Sequence, residues 1–190
     1  MLNGQSRFED IELGPLGAPA PTASAGNLVS NSTAANGFQQ TPVNLSPTSS
    51  NYNYSADLIS IAEPGEARNG FLTFNSQSAN SFNLAGAWLG SKKWVLAQYV
   101  NGVYQELVSL SDASISPNTE YHLEIKVIGS TVTLFANGEE KLSYDFGTDQ
   151  SAGSLGVATS NAHSQFNNLT VAELPAADSV FSGALDDLLV

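Results

Sequence analysis

Residues 120–146, "EYHLEIKVIGSTVTLFANGEEKLSYDF", decide the fold. Tyr121, Leu123, Ile125 and Val127 alternate with His122, Glu124 and Lys126, so one side of this run is apolar and the other polar. After Gly129-Ser130 the alternation resumes. Val132, Leu134 and Ala136 stand opposite Thr131, Thr133 and Phe135, and Asn137-Gly138 turns the chain again. Side chains of a strand point alternately to its two faces, so period two over such a length predicts a three-strand antiparallel meander. Asn-Gly between apolar runs is a strong hairpin signal, because both residues tolerate the positive φ of a tight turn.

The same pattern extends on both sides. "YNYSADLISIA" from Tyr52, "GFLTFN" from Gly70, "SFNLAGAWLG" and "KKWVLAQYV" are strand-like, with a turn at Gly90-Ser91. Asn101-Gly102 marks a second hairpin into "VYQELVSL", and "SDASISPNTE" is a loop. "SLGVAT" and "SQFNNLTVAEL" supply the closing strands. Residues 14–50 are rich in Gly, Pro, Ala, Ser, Thr and Asn, a composition that supports loops and short edge strands. "SRFEDIEL" before them is either a first strand or a linker end. Helical periodicity is missing until about residue 175. Many short strands with regular turns imply an all-β, antiparallel two-sheet β-sandwich of the jelly-roll kind. Beyond Pro175, Val180, Phe181, Ala184, Leu185, Leu188 and Leu189 recur at helical spacing behind a capping Asp178 or Ser179. The expected organisation is one β-sandwich domain over residues 1–174 and a tail over 175–190 forming a short amphipathic helix that docks on this or another module.

Composition narrows the partners. The chain of 190 residues carries 18 acidic against 6 basic side chains, a formal net charge of −12. Nucleic acid and anionic membrane surfaces are poor partners for it, because binding there rests on Lys and Arg meeting phosphate. Cations, neutral glycans and basic proteins are compatible. There is no cysteine, which excludes a disulfide framework and thiolate metal sites. No stretch is long and apolar enough to span a bilayer. The first residues, "MLNGQSRFED", lack the basic and apolar regions of a signal peptide, and the chain is expected to be part of something longer.

Three stretches resemble the concanavalin A-like lectin/glucanase superfamily, which includes the laminin G-like jelly rolls. They are "NGFLTFNSQSANSFNLAGAWLGSKKWVLAQYVNG", "PNTEYHLEIKVIGSTVTLFANGEEKLSYDF" and "GSLGVATSNAHSQFNNLTV". The likeness covers roughly residues 52–172 and is nearest to modules repeated in very large bacterial surface and extracellular proteins. It implies a bacterial extracellular or cell-surface location within a larger chain. It leaves the role open among adhesion, carbohydrate binding and spacing, because this fold hosts many functions. The closing motif of such modules often has Asp where this chain has Asn167.

Catalytic chemistry finds little support. Glycosidases need two carboxylates flanking a bond, and Glu139 and Glu140, as strand neighbours, point to opposite faces. They are read as a solvated hairpin end. The Glu-x-Asp-x-x-Glu run of glucanases of this fold is absent, as are the strand motifs of jelly-roll lyases. His122 and Glu124 share one strand face and are the best remaining acid–base pair. The sequence therefore favours a non-catalytic module, with a hydrolase or lyase built around His122 and Glu124 as the alternative. Zinc is disfavoured, since His122 and His163 have no ligand spacing. Calcium suits an acidic extracellular sandwich, with Asp57, Glu63, Asp145, Asp149 and Asn167 as possible donors, Asp57 and Asn167 foremost. Sugar rings stack on exposed aromatics. Trp88, Trp94, Tyr99 and Tyr104 are candidates, with Trp94 assigned to the core, and Tyr52 and Tyr54 stand in a polar run from which they can reach solvent. The expected carbohydrate-binding set is Trp88, Tyr52, Tyr54, Glu124 and His122.

Overall fold

The computed structural model describes residues 37–175 with their side chains, together with the backbone strands Ala23–Ala25 (β1) and Leu28–Ser32 (β2). The further strands are β3 (Gln39–Pro42), β4 (Asn51–Ile61), β5 (Asn69–Ser78), β6 (Ser81–Trp88), β7 (Lys93–Val100), β8 (Val103–Ser111), β9 (Glu120–Ile128), β10 (Thr131–Ala136), β11 (Glu139–Asp145), β12 (Ser154–Thr159) and β13 (Ala162–Glu173). A single turn of 3-10 helix, Leu89–Ser91, joins β6 to β7. The proposed helix beyond residue 175 and the "SRFEDIEL" segment lie outside the described residues.

All strand pairs are antiparallel and form two sheets. The seven-stranded sheet runs β1-β13-β4-β9-β10-β11, with β2 also paired to β13. The six-stranded sheet runs β3-β12-β5-β6-β7-β8. The decisive stretch forms β9, β10 and β11 with Val132 opposite Val127 and Leu134 opposite Ile125, the register its alternation requires. Asn137 and Gly138 have φ of 52° and 79°, and Asn101 and Gly102 of 52° and 80°, so both Asn-Gly pairs make the left-handed hairpin turns expected of them. The Gly90-Ser91 turn is the 3-10 turn, closed by Lys92 at φ 57°. The Gly- and Ser-rich segment supplies short strands at sheet edges, as its composition implies.

The core lies between the sheets. Tyr52, Tyr54 and Leu58 of β4, Leu123, Ile125 and Val127 of β9, and Phe166 of β13 meet Leu72 and Phe74 of β5 and Trp94 and Leu96 of β7. Trp94 is buried, and its indole Nε1–H donates to Asp112 at 2.9 Å. Burial of these chains is the main favourable term in forming the sandwich. Tyr52 and Tyr54 correct a sequence expectation. Both are fully buried, and their hydroxyls donate to the carbonyls of Gln150 (3.1 Å) and Gly156 (2.9 Å). Burial pushes both phenols well above the ordinary tyrosine range. The register of β4 explains the reversal, because Tyr52, Tyr54, Ala56 and Leu58 fall on one face while Asn53, Ser55 and Asp57 face outward.

Candidate functional site: an aromatic recess on the six-stranded sheet

The six-stranded sheet is apolar on both faces. Phe71, Leu72, Thr73 and Phe74 are all buried, but Leu72 and Phe74 point into the sandwich and Phe71 points out. On that outer face Phe71 gathers Phe82 and Leu84 of β6, Val95, Ala97 and Tyr99 of β7, and Ala158 of β12. Phe38, just before β3, lies over them. Its ring centroid is 5.5 Å from that of Phe71, 5.2 Å from Tyr99 and 5.9 Å from Trp88, and it stacks on Tyr104 at 5.4 Å. Trp88 meets Phe71 edge-on at 5.3 Å and Tyr104 at 5.9 Å. Such geometries add to simple area burial.

This cluster leaves a recess of about 250 Å³ lined by Gly37, Phe38, Trp88, Tyr99, Gly102, Tyr104 and Ser160. The glycines keep it open. A Cβ at Gly37 would stand 3.4 Å from the Tyr99 hydroxyl, and one at Gly102 would stand 3.8 Å from it. Tyr99 is only 6% exposed, and its hydroxyl has no hydrogen-bond partner among the described residues. The hydroxyl is thus uncommitted among the described residues and open to the recess, where it can both donate to and accept from a bound group. The rim is polar. Trp88 Nε1–H donates to the Tyr104 hydroxyl (3.1 Å), which donates to Glu106 (3.3 Å), and Glu106 pairs with Lys93. Burial, with the Glu106 charge adding to it and the Trp88 hydrogen bond opposing it, pushes the Tyr104 phenol up to about 12. Glu106 is partly desolvated, yet hydrogen bonds from Lys93 and Ser109 and the Lys93 charge hold it below the usual glutamate range. The rim thus presents the Tyr104 hydroxyl and the Glu106–Lys93 pair.

Of the expected binding residues, Trp88 alone belongs to this recess. His122 and Glu124 project from the outer face of the seven-stranded sheet, as their alternation predicted. There the His122 Nδ1–H donates to Asp57 Oδ1 at 2.6 Å, and Asn168 Nδ2 donates to Asp57 Oδ2 at 2.7 Å. A bulge in β13, where Asn168 takes φ of 52°, brings that amide to the carboxylate. Partial burial pushes Asp57 up, but those two hydrogen bonds and the His122 charge leave it below the ordinary range. Glu124 moves the other way: burial raises it, opposed by the charges of His122 and Lys126. Asn167 lies opposite Asp57 in the ladder. Both Asp57 oxygens accept from N–H donors. Among the described residues no three His, Cys, Asp or Glu side chains gather in one place. Asp145 and Asp149 accept from the backbone N–H of Gly147 and Ser151, which fixes their loops.

Glu139 and Glu140 are the exposed first residues of β11, opposite Ala136 and Phe135. Glu139 pairs with Lys141 at 2.8 Å while itself 76% exposed. Glu139→Gln and Glu140→Gln are each expected to change the urea-unfolding free energy by no more than about 0.5 kcal/mol, the scale of exposed pairs. A larger loss would show that this hairpin end is structurally engaged.

The sequence missed Phe38 because it sits in a stretch whose composition signals loop. It named Tyr99 and Tyr104 without joining them to Trp88. The available signal was register: once β6 and β7 pair, Phe82 falls opposite Tyr99 on the face that Trp88 shares.

No protein-family model matches the chain, and no curated protein matches it in sequence. Solved structures do match its shape. The carbohydrate-binding module CBM66 of Bacillus subtilis superposes with a TM-score of 0.66 at 17% identity, covering 80% of this chain and 94% of that one. Galectin LEC-6 of Caenorhabditis elegans gives 0.55 at 14% identity, over 78% and 96% of the two chains. A β-fructofuranosidase of Aspergillus kawachii gives 0.58 at 13% identity over 80% of this chain and 27% of that enzyme. The fold is a two-sheet jelly roll like that of these structures, consistent with the concanavalin A-like resemblance of the sequence. At such identities the likeness concerns the fold.

Proposed function

We propose that this chain is a non-catalytic, extracellular carbohydrate-binding module, and that its ligand rests in the aromatic recess beside Trp88. The observation that carries the reading is the unpartnered Tyr99 hydroxyl set among Phe38, Trp88 and Tyr104. A sugar ring has apolar C–H faces that stack on aromatic rings and hydroxyls that both donate and accept. The recess offers aromatic walls, one uncommitted hydroxyl and a polar rim, so it complements both parts. Its volume suits a single sugar ring better than a long chain segment. The names of the structural neighbours, a carbohydrate-binding module and a galectin, support the class of ligand.

Trp88 is half-buried while Trp94 is held in the core, so intrinsic fluorescence reports mainly on the recess. Titration with a panel of neutral oligosaccharides is expected to give a saturable fluorescence change for at least one of them. Tyr99→Phe is expected to weaken that binding about tenfold, the worth of one hydrogen bond of about 1.4 kcal/mol. The melting temperature should hold, because the hydroxyl bonds nothing in the protein. Binding that survives both Tyr99→Phe and Tyr104→Ala unchanged would remove the recess from consideration. Turnover of a glycan, abolished by Glu124→Gln, would instead transfer function to the opposite sheet and make the protein an enzyme.

A further inference from the structure

We infer a second binding site, for an uncharged oligosaccharide, at the mouth of the sandwich on the far side of Phe82 from the aromatic recess. A cleft of about 250 Å³ opens there between the ends of β5, β6 and β7 and the loop that follows β11. Its polar lining consists of side-chain amides and hydroxyls, Asn75, Gln77, Ser81, Asn83, Gln98, Thr148 and Gln150, with Phe82 and Val100 as the apolar part and no charged group.

The amides are held in place from behind. Gln150 is 1% exposed. Its Nε2 donates to the Thr148 carbonyl at 2.7 Å, and its Oε1 accepts from Asn83 and, at 3.3 Å, from Asn75. Gln77 in turn donates to Asn75 Oδ1 at 2.9 Å. Asn75 takes a left-handed φ of 47° where the β5–β6 ladder breaks register between Phe74 and Ser78. A non-glycine residue in that region is costly unless its surroundings hold it there. They do so tightly: a Cβ at Gly153 would stand 2.4 Å from the Ser76 carbonyl oxygen, so the loop and the irregular strand are pressed together. A polar site backed by its own hydrogen-bond network is preorganised, which lowers the cost of binding.

Two features of the cleft are left over. The Gln98 amide has no hydrogen-bond partner among the described residues, although its strand is interior to the sheet. Val100 is 46% exposed beside it. An amide presents a donor and an acceptor a fixed distance apart, which matches neighbouring hydroxyls, and the exposed Val100 offers an apolar surface to a sugar's C–H face. The lack of charge in the lining disfavours ionic ligands. A peptide adding itself as a strand is disfavoured too, because β5, β6 and β7 have their backbone groups engaged on both sides. Recognition here must run through side chains.

The site is independent of the aromatic recess, and one titration separates them. In the uniformly ¹⁵N-labelled full chain, the side-chain NH₂ signals of Gln98 and Asn83 report on the cleft, and the Trp88 indole N–H reports on the recess. The probes are neutral gluco-, fructo- and galacto-oligosaccharides. The expected result is a saturable movement of the Gln98 and Asn83 signals with at least one of them. Gln98→Ala, read through Asn83, should weaken that response at least tenfold with an unchanged melting temperature, and Gln77→Ala serves as a second variant on the exposed side. Movement of the Trp88 signal alone would overturn the second site and leave the first standing. Silence of all three signals would overturn both. A response to a neutral Gly-Ser peptide and to none of the sugars would overturn the assignment of ligand, as would a response indifferent to both variants.

Discussion

Gly86→Ala is expected to cost about 3 kcal/mol of stability, and Gly70→Ala about 1 to 2 kcal/mol, although both add one methyl group to the same pair of strands. A Cβ at Gly86 would lie 2.2 Å from the Gly70 carbonyl oxygen and 2.8 Å from the Phe71 Cα, and neither backbone atom can move without parting β5 from β6. A Cβ at Gly70 meets side chains, Leu58 Cδ1 at 2.3 Å and Phe166 Cζ at 3.1 Å, which relieve the clash by shifting rotamers in a packed core. Urea unfolding of the two variants measures the difference. Because Phe71 carries the floor of the aromatic recess, Gly86→Ala should also weaken any ligand bound there. Equal costs for the two substitutions would mean that β5 and β6 yield as readily as a leucine side chain.

The second large effect concerns Tyr54. Tyr54→Ala is expected to cost about 3 to 5 kcal/mol, the range for removing a large buried aromatic. Tyr54→Phe keeps the ring and removes the hydrogen bond to the Gly156 carbonyl, for about 1 kcal/mol. Ligand affinity of the folded Tyr54→Phe protein should match that of the parent, since the ring lies in the interior between the sheets. Thermal or urea unfolding alongside a sugar titration tests both halves. A Tyr54→Phe protein of full stability but weakened binding would contradict the inward register of β4.

That register shows what the sequence made legible and what it hid. The meander of β9 to β11 was open to reading because polar and apolar residues alternate along β9 and β10 and the pairs Gly129-Ser130 and Asn137-Gly138 mark its turns. Trp94 was assigned to the core correctly, since Leu96 shares its face. In β4 the same rule applied, but tyrosine is amphipathic, and the Asn and Ser around Tyr52 and Tyr54 suggested a wet surface. Counting back from Leu58 in twos would have placed both rings inside. The recess was harder to foresee. Its parts come from the segment before β3, from β6 to β8 and from the end of β12, and only pairing across the sheet brings them together. Phe38 carried no periodic signal at all. The amide cleft depends on a break in register at Asn75, where the alternation that guides such readings stops.

The order of strands in the seven-stranded sheet has a consequence for how the molecule is made. β4, near the middle of that sheet, pairs on one side with β9 and on the other with β13, the last described strand, and among the described residues β1 and β2 pair only with β13. A chain emerging from the ribosome therefore carries β1 and β2 without their partner until β13 has been synthesised. Pairings so distant in sequence must close large loops before they are rewarded, which makes folding slow. Until β13 docks, β4 exposes an open edge of eleven residues, the kind of surface on which nascent chains associate. Assembly of this sheet is thus a late event that waits for β13.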